Sequence, residues 1–181
     1  MPAEDRYLKS KVKFLDEITG LLGGRAAEEV FFGVDAITTG ASNDFERVTA
    51  MATDMIVKYG MDPELGTMQF MSDNDYGLTK PYSESTAVMI DTKIRAIVQS
   101  CYAKAKELIT ADKELMIKLA KLLDAKEYLT REEFEELMTC DLSTVDEKVT
   151  ALISEYDEEM RVAEAKIEQM TEENKEEKTH E

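Results

Sequence analysis

Apolar residues recur along this chain at spacings of three and four, and each such stretch predicts a helix with one buried face. The first runs from about Arg6 towards Val30 through Leu8, Val12, Leu15, Ile18 and Leu22. Gly23-Gly24 interrupts it, at a cost of about 1 kcal/mol per glycine relative to alanine, which suggests close approach of another backbone. Phe31-Phe32-Gly33 ends it. A second stripe, Phe45, Val48, Ala52, Met55, Ile56 and Tyr59, follows the loop Thr38–Asp44. Ser42 and Asn43 are both good N-caps, Asn43 with Glu46 has capping-box spacing, and Gly60 is placed to close the helix. Ser83 caps a third helix bearing Ile90, Ile94, Ile97, Cys101, Ala105 and Leu108. A fourth starts at Thr110 or Asp112 and carries Leu115, Leu119, Leu122 and Leu123. Thr130 and Glu133 form a capping box that opens a short fifth, with Phe134, Leu137 and Met138.

Between residues 61 and 82 the pattern is lost. Pro63, Gly66, Gly77 and Pro81 punctuate a long loop, and Thr67–Met71 has the composition of a short strand. A loop of this length in a compact domain is usually functional or mobile. Beyond Thr139 the residues Val149, Ile153, Tyr156, Met160, Ala163, Ile167 and Met170 alternate at spacings of four and three, a heptad seam in a mostly acidic background. Two readings stay open: pairing with another helix or with its own domain, or a solvated amphipathic helix that frays. The expected fold is mainly α, with at most a small β element near residues 30–40 or 67–71. Residues 1–138 form the principal domain, and 139–181 an amphipathic, coiled-coil-like helical tail with a disordered end.

Composition narrows the function classes. With 39 acidic against 22 basic residues the formal charge is −17, which repels nucleic-acid phosphates and anionic membranes. Cys101 and Cys140 are the only cysteines, so neither a disulfide scaffold nor a cysteine metal cluster is expected, and a reducing compartment is the simplest. The segment MPAEDRYLKSK has no signal-peptide character, and no stretch reaches the roughly 18–20 apolar residues that span a bilayer. On its own the chain reads as soluble.

The chemistry available to it is limited. The single histidine, His180, lies in the polar terminal stretch, and the chain contains no HExxH, no GxxxxGK[ST] and no GxSxG. Asp44 falls in the first turn of the second helix. There it gains about 0.3–1 kcal/mol from the macrodipole, and the same placement suits one oxygen ligand to a cation. One carboxylate does not make a metal site. Gly23-Gly24-Arg25 reads as tight helix packing with Arg25 paired to Glu28 or Glu29; the alternative puts the glycines beside a cleft, with Arg25 clamping a carboxylate. Glu28 and Glu29 are adjacent on a helix and point in different directions, so at least one is expected to be merely solvated.

Pro2-Ala-Glu-Asp-Arg-Tyr7, Leu22-Gly-Gly-Arg-Ala-Ala-Glu-Glu29 and Thr38-Thr-Gly-Ala-Ser-Asn-Asp-Phe45 resemble, in order and separation, consecutive signatures of the FtsH family of membrane-anchored AAA+ zinc proteases. Tyr59-Gly-Met-Asp-Pro-Glu-Leu-Gly66 is similar to the helix and turn that follow, and the likeness continues more loosely through Met138. The resemblance implies an ATP-dependent zinc metalloendopeptidase with an ATPase module binding ATP and magnesium. It also implies a homo-hexameric ring, unfolded protein substrates, and a cell-membrane anchor N-terminal to a cytoplasmic peptidase domain. Zinc in that family is held by two histidines of an HExxH helix and by the aspartate of the Ser-Asn-Asp motif, which corresponds to Asp44. The HExxH glutamate acts as general base on zinc-bound water.

This sequence departs from the family pattern in lacking HExxH, which the resemblance places upstream of residue 1, and a start at Met1-Pro2 in mid-domain suggests an artificial beginning. Alone, these residues are expected neither to bind zinc tightly nor to cleave protein, and the ATPase module and membrane anchor lie outside them. The rival expectation is a non-enzymatic helical interaction or oligomerisation module acting through the acidic tail.

Overall fold

A computed structural model describes residues 8–70 and 82–179, with side chains described to residue 167. The motif at residues 2–7, the middle of the 61–82 loop, the side chain of Met170, and His180 lie outside the described residues. The chain divides into two compact units, Met1–Ala111 and Asp112–Glu181. No strand occurs among the described residues, and the short element near residues 30–40 is a 3₁₀ turn, Val34–Ala36. The fold is mainly α, as the periodicity predicts.

The first unit contains α1 (Lys11–Leu21), α2 (Gly23–Phe32), α3 (Ser42–Thr53) and α4 (Glu84–Ala111). Ser10 opens α1 by accepting the Lys13 N–H on its Oγ. Phe14, Ile18 and Leu22, spaced by four, point inward, while Leu8 and Val12 are exposed, contrary to the periodic expectation. The core joins these residues to Ala26, Val48, Ala52, Met55, Cys101 and Ala105. Alanine and cysteine at these positions let four helices approach closely around a few large side chains.

The glycine expectation is corrected. A Cβ on Gly23 or Gly24 would meet nothing within 4 Å, so no backbone of the described residues packs against them. Gly20 and Gly23 instead lie along an open groove beside Ala105, Leu108 and Ile109 of α4.

At its far end α3 widens into a π turn, Asp54–Lys58, where the Tyr59 N–H donates to the Asp54 carbonyl at 2.9 Å. The extra residue lets three consecutive side chains be buried: Met55 joins the α1–α4 core, and Ile56 and Val57 pack with Leu65 and Ile90. Gly60 (φ +57°) then terminates the element, with the Met61 N–H donating to the Met55 carbonyl at 2.9 Å. The Val57 carbonyl receives the Phe70 N–H at 2.7 Å, so residues 67–70 are tied back as a loop instead of pairing as a strand.

In the second unit α5 (Lys113–Lys126), α6 (Arg131–Thr139) and α7 (Leu142–Thr179) enclose Leu115, Leu119, Leu122, Leu137, Val145 and Val149. The Thr130–Glu133 capping box forms as its spacing predicts. The α7 seam starts one turn earlier than the heptad pattern suggests, at Val145. Leu152 and Ile153 are partly buried and the Tyr156 ring meets Tyr128 edge-on, whereas Met160 and Ile167 are exposed. The α5 helix, about 21 Å long at 1.5 Å per residue, covers only the start of α7.

Candidate functional site

Asp44 is the third residue of α3, and the structure puts it in the first turn as the sequence indicates. The capping expectation for this helix does not hold. Ala41 occupies the N-cap position without a side-chain hydrogen bond, and the Phe45 N–H already donates to the Ala41 carbonyl at 3.0 Å, so Ser42 and Asn43 are helical. The Asp44 side chain is 38% exposed, and its one ion pair among the described residues is with Arg47, one turn on, at 3.9 Å. At that distance and exposure the pair holds the carboxylate loosely, leaving its oxygens open to an incoming ligand.

The path from α2 to Asp44 is built from irregular backbone. Gly33 (φ +86°, ψ 169°), in a region open essentially only to glycine, ends α2. After the 3₁₀ turn and an extended Ile37, residues 38–41 lead into α3. This stretch bonds to itself: the Gly40 N–H donates to Thr38 Oγ1 at 3.2 Å, and the Ser42 N–H to the Thr39 carbonyl at 3.2 Å.

Thr38 is also gripped from α2. Arg25 donates from NH2 to the Thr38 carbonyl at 2.7 Å. Glu28 accepts the Thr38 hydroxyl on Oε1 and its N–H on Oε2 at 3.3 Å. Arg25 Nε lies 3.4 Å from Glu28 Oε2, an ion-pair contact without hydrogen-bond geometry, since this buried N–H has no acceptor in line. The guanidinium also stacks over the Phe45 ring, 5.0 Å from its centroid. Donation from the Thr38 hydroxyl, then its N–H, holds the Glu28 carboxyl below its ordinary pKa, with Arg25 adding to the effect.

Arg25 therefore pairs with Glu28, as expected, but its reach to Thr38 and Phe45 was not legible from spacing. Neither glutamate is merely solvated. Glu29 turns to α4, where it accepts the Tyr102 hydroxyl and pairs with Lys106 at 3.0 Å. The Tyr102 hydroxyl lowers the Glu29 pKa most, followed by Lys106. Burial first, then the Glu29 carboxylate, pushes Tyr102 up to about 12. An apolar cleft lined by Leu22, Arg25, Ile37, Phe45, Val98 and Tyr102 lies beside the clamp. The hydroxyl of Thr38, two residues before Gly40, was the available sequence sign of a side-chain-stabilised turn.

Zinc sites take at least three protein ligands. Among the described residues no three histidine, cysteine, aspartate or glutamate side chains converge on a point. Asp44, one accessible carboxylate at a helix start, has the chemistry of one such ligand and by itself of no more than one.

Comparison with known proteins agrees with the motifs. The profile of peptidase family M41 matches residues 1–137. The mitochondrial inner membrane m-AAA protease component yta12 of Schizosaccharomyces pombe is 41% identical over 135 residues, covering 75% of this chain and 18% of that protein. The ATP-dependent zinc metalloprotease FtsH of Alkalihalophilus pseudofirmus is 40% identical over 146 residues (76% of this chain, 21% of the relative). FtsH of Bacillus subtilis is 38% identical over 146 residues (76% and 23%). The chain thus spans about a fifth of the length of these relatives. With three signature motifs in register and the family match extending over most of its length, this chain belongs to peptidase family M41, the family of the FtsH proteases.

Proposed function

We propose that this chain is part of an ATP-dependent zinc metalloendopeptidase, to which it contributes Asp44 as the third zinc ligand. The carrying observation is the placement of that carboxylate: first turn of α3, accessible, and engaged among the described residues by a long contact to Arg47. The family match supplies the context. In this reading the two histidine ligands and the general-base glutamate belong to an HExxH helix preceding residue 1. Bound zinc supplies a Lewis acid and a water of near-neutral pKa. The chain's own part is to hold Asp44 still and to form the adjoining wall with Phe45 and Ile37.

Residues 1–138 are the C-terminal part of the peptidase domain, which the family match ending at residue 137 supports, and 139–181 an acidic helical tail whose first turns pack on α5 and α6 through Val145 and Val149. The whole enzyme assembles as a hexamer, is anchored in the membrane by its N-terminal region with this part in the cytoplasm, and degrades misfolded or regulatory proteins. No helix among the described residues is long and apolar enough to cross a membrane.

The test is Asp44→Asn in the full-length protein. Loss of a second-sphere group costs about 10–100-fold in metal affinity, so losing a ligand should weaken zinc binding by about 100-fold or more and abolish casein cleavage, with circular dichroism unchanged. Full zinc occupancy and normal proteolysis in that variant would overturn the assignment. The 181-residue chain should give no stoichiometric tight zinc site by calorimetry; a tight site there would equally count against it.

A further inference from the structure

Arg25 and Glu28, one turn apart on α2, both converge on Thr38, and Arg25 also stacks on Phe45, the residue that follows Asp44. The stretch bearing the carboxylate is thus gripped on both sides of it by one turn of a single helix. From this we infer that Arg25 and Glu28 are positioning residues for Asp44, acting through Thr38 and Phe45; the inference rests on the proposed role of Asp44 as a metal ligand.

Three observations separate this from ordinary helix packing. The α3 start has no side-chain cap of its own, so its orientation is left to the loop that delivers it. That loop is irregular from Gly33 to Ala41, and its external polar contacts are concentrated on Thr38. The Arg25 side chain is only 15% exposed, and burying a guanidinium is costly unless its geometry is used. Here its planar fork meets a carbonyl and a glutamate while its face meets an aromatic ring, a combination that a lysine cannot reproduce.

Gly40 belongs to the same device. A Cβ there would sit 3.3 Å from Thr38 Oγ1, crowding the hydroxyl that donates to Glu28. Glu29 supplies an internal control: it is the next residue on α2, equally acidic, and it bonds to α4 instead.

The experiment has two arms. In the first, backbone amide exchange over residues 38–45 is followed by NMR in the 181-residue chain. Glu28→Gln should speed exchange there by about tenfold, the scale of one charge-assisted hydrogen bond. Arg25→Lys should do the same without unfolding the domain, and Glu29→Gln should leave this stretch unchanged. Equal effects of Glu28→Gln and Glu29→Gln, or none from either, would overturn the proposal.

In the second arm, zinc affinity of the full-length protein is measured by chelator competition. Glu28→Gln should weaken it by about 10–100-fold with Asp44 intact, as second-sphere losses do. Wild-type affinity in Glu28→Gln alongside lost affinity in Asp44→Asn would overturn positioning while leaving the ligand assignment standing. Wild-type affinity in Asp44→Asn would remove the ligand assignment and the positioning role with it, whatever the exchange data show.

Discussion

In the α1–α4 unit, polar side chains reach across long stretches of chain. Glu29 bonds to Tyr102 and Lys106, 73 and 77 residues away. Lys11 donates to the Met61 carbonyl, 50 residues on, and Lys93 pairs with Asp62 and Glu64. In the α5–α7 unit most partners are closer in sequence: Lys126 with Glu133, Lys148 with Glu136, and Glu133 with the Thr130 N–H, while Lys118 reaches the Leu142 carbonyl, 24 residues on, and Asp146. The difference follows the loops. The α1–α4 unit contains two stretches without regular hydrogen bonding, around residues 33–41 and 61–70: Arg25 and Lys11 hold their backbone at the Thr38 and Met61 carbonyls, and Lys93 holds the side chains of Asp62 and Glu64. In the α5–α7 unit the turn between α5 and α6 satisfies itself, through the capping box and through Glu127 in the left-handed region, and the start of α7 is held by Lys118 at the Leu142 carbonyl. Irregular backbone is where a functional group can be placed freely, and it must then be held by side chains from elsewhere.

The largest expected effects test whether both units rest on equally well-packed cores. Met55→Ala and Leu122→Ala remove side chains that are fully buried, and each should cost about 2–5 kcal/mol in urea unfolding. Met55 sits in the π turn, so its truncation should also free the Met61 and Phe70 amides to exchange, an effect with no counterpart at Leu122. Equal and purely global exchange changes in the two variants would break the contrast.

Tyr102→Phe sharpens the long-range half of the comparison. Losing its hydrogen bond to Glu29 should cost about 1 kcal/mol. The pH dependence has a definite sign. The folded-state pKa of Tyr102 is raised from 10.0 to about 12, so its contribution is complete below pH 10 and is lost as pH rises towards 12. For Glu29, whose pKa is lowered, the contribution is present above its unfolded value and is lost as pH falls through the folded one. Chemical denaturation from pH 9 to 12 should show a decline that Tyr102→Phe makes shallower, the remainder coming from Lys93, Lys126 and Lys148, whose carboxylate partners also raise their pKa; an identical decline in the variant would contradict the assignment.

The smallest effect is a gain. Glu127 is the one described non-glycine residue with positive φ, +63°, which costs an L-residue roughly 1–2 kcal/mol. Glu127→Gly relieves that strain while adding unfolded-state freedom, so a net stabilisation of about 0.5 kcal/mol is expected as a higher urea midpoint. A lower midpoint would show that the Glu127 side chain contributes to the turn.

The sequence by itself determined the helical class, most of the buried positions, the Thr130–Glu133 capping box, Ser83 as a cap (the Thr86 N–H donates to its Oγ at 3.3 Å) and Gly60 as a terminator. It also singled out Asp44 through the Thr38–Phe45 motif. Each depends on residues within about a turn of one another, where backbone geometry alone decides which groups meet.

Tertiary structure decided the rest. Phe14 took the place expected of Val12 because α1 turns the face carrying Phe14, Ile18 and Leu22 to its neighbours. Gly23 and Gly24 faced open space, Ser42 and Asn43 entered α3 instead of capping it, and the seam of α7 was buried only where α5 runs beside it. Adjacent glutamates took different partners, Glu28 the loop before Asp44 and Glu29 the helix α4. Those pairings depend on which helix faces pack together. No local spacing encodes that choice, because a side chain's polar partner is set by whatever neighbour the buried apolar faces bring within about 3 Å of it.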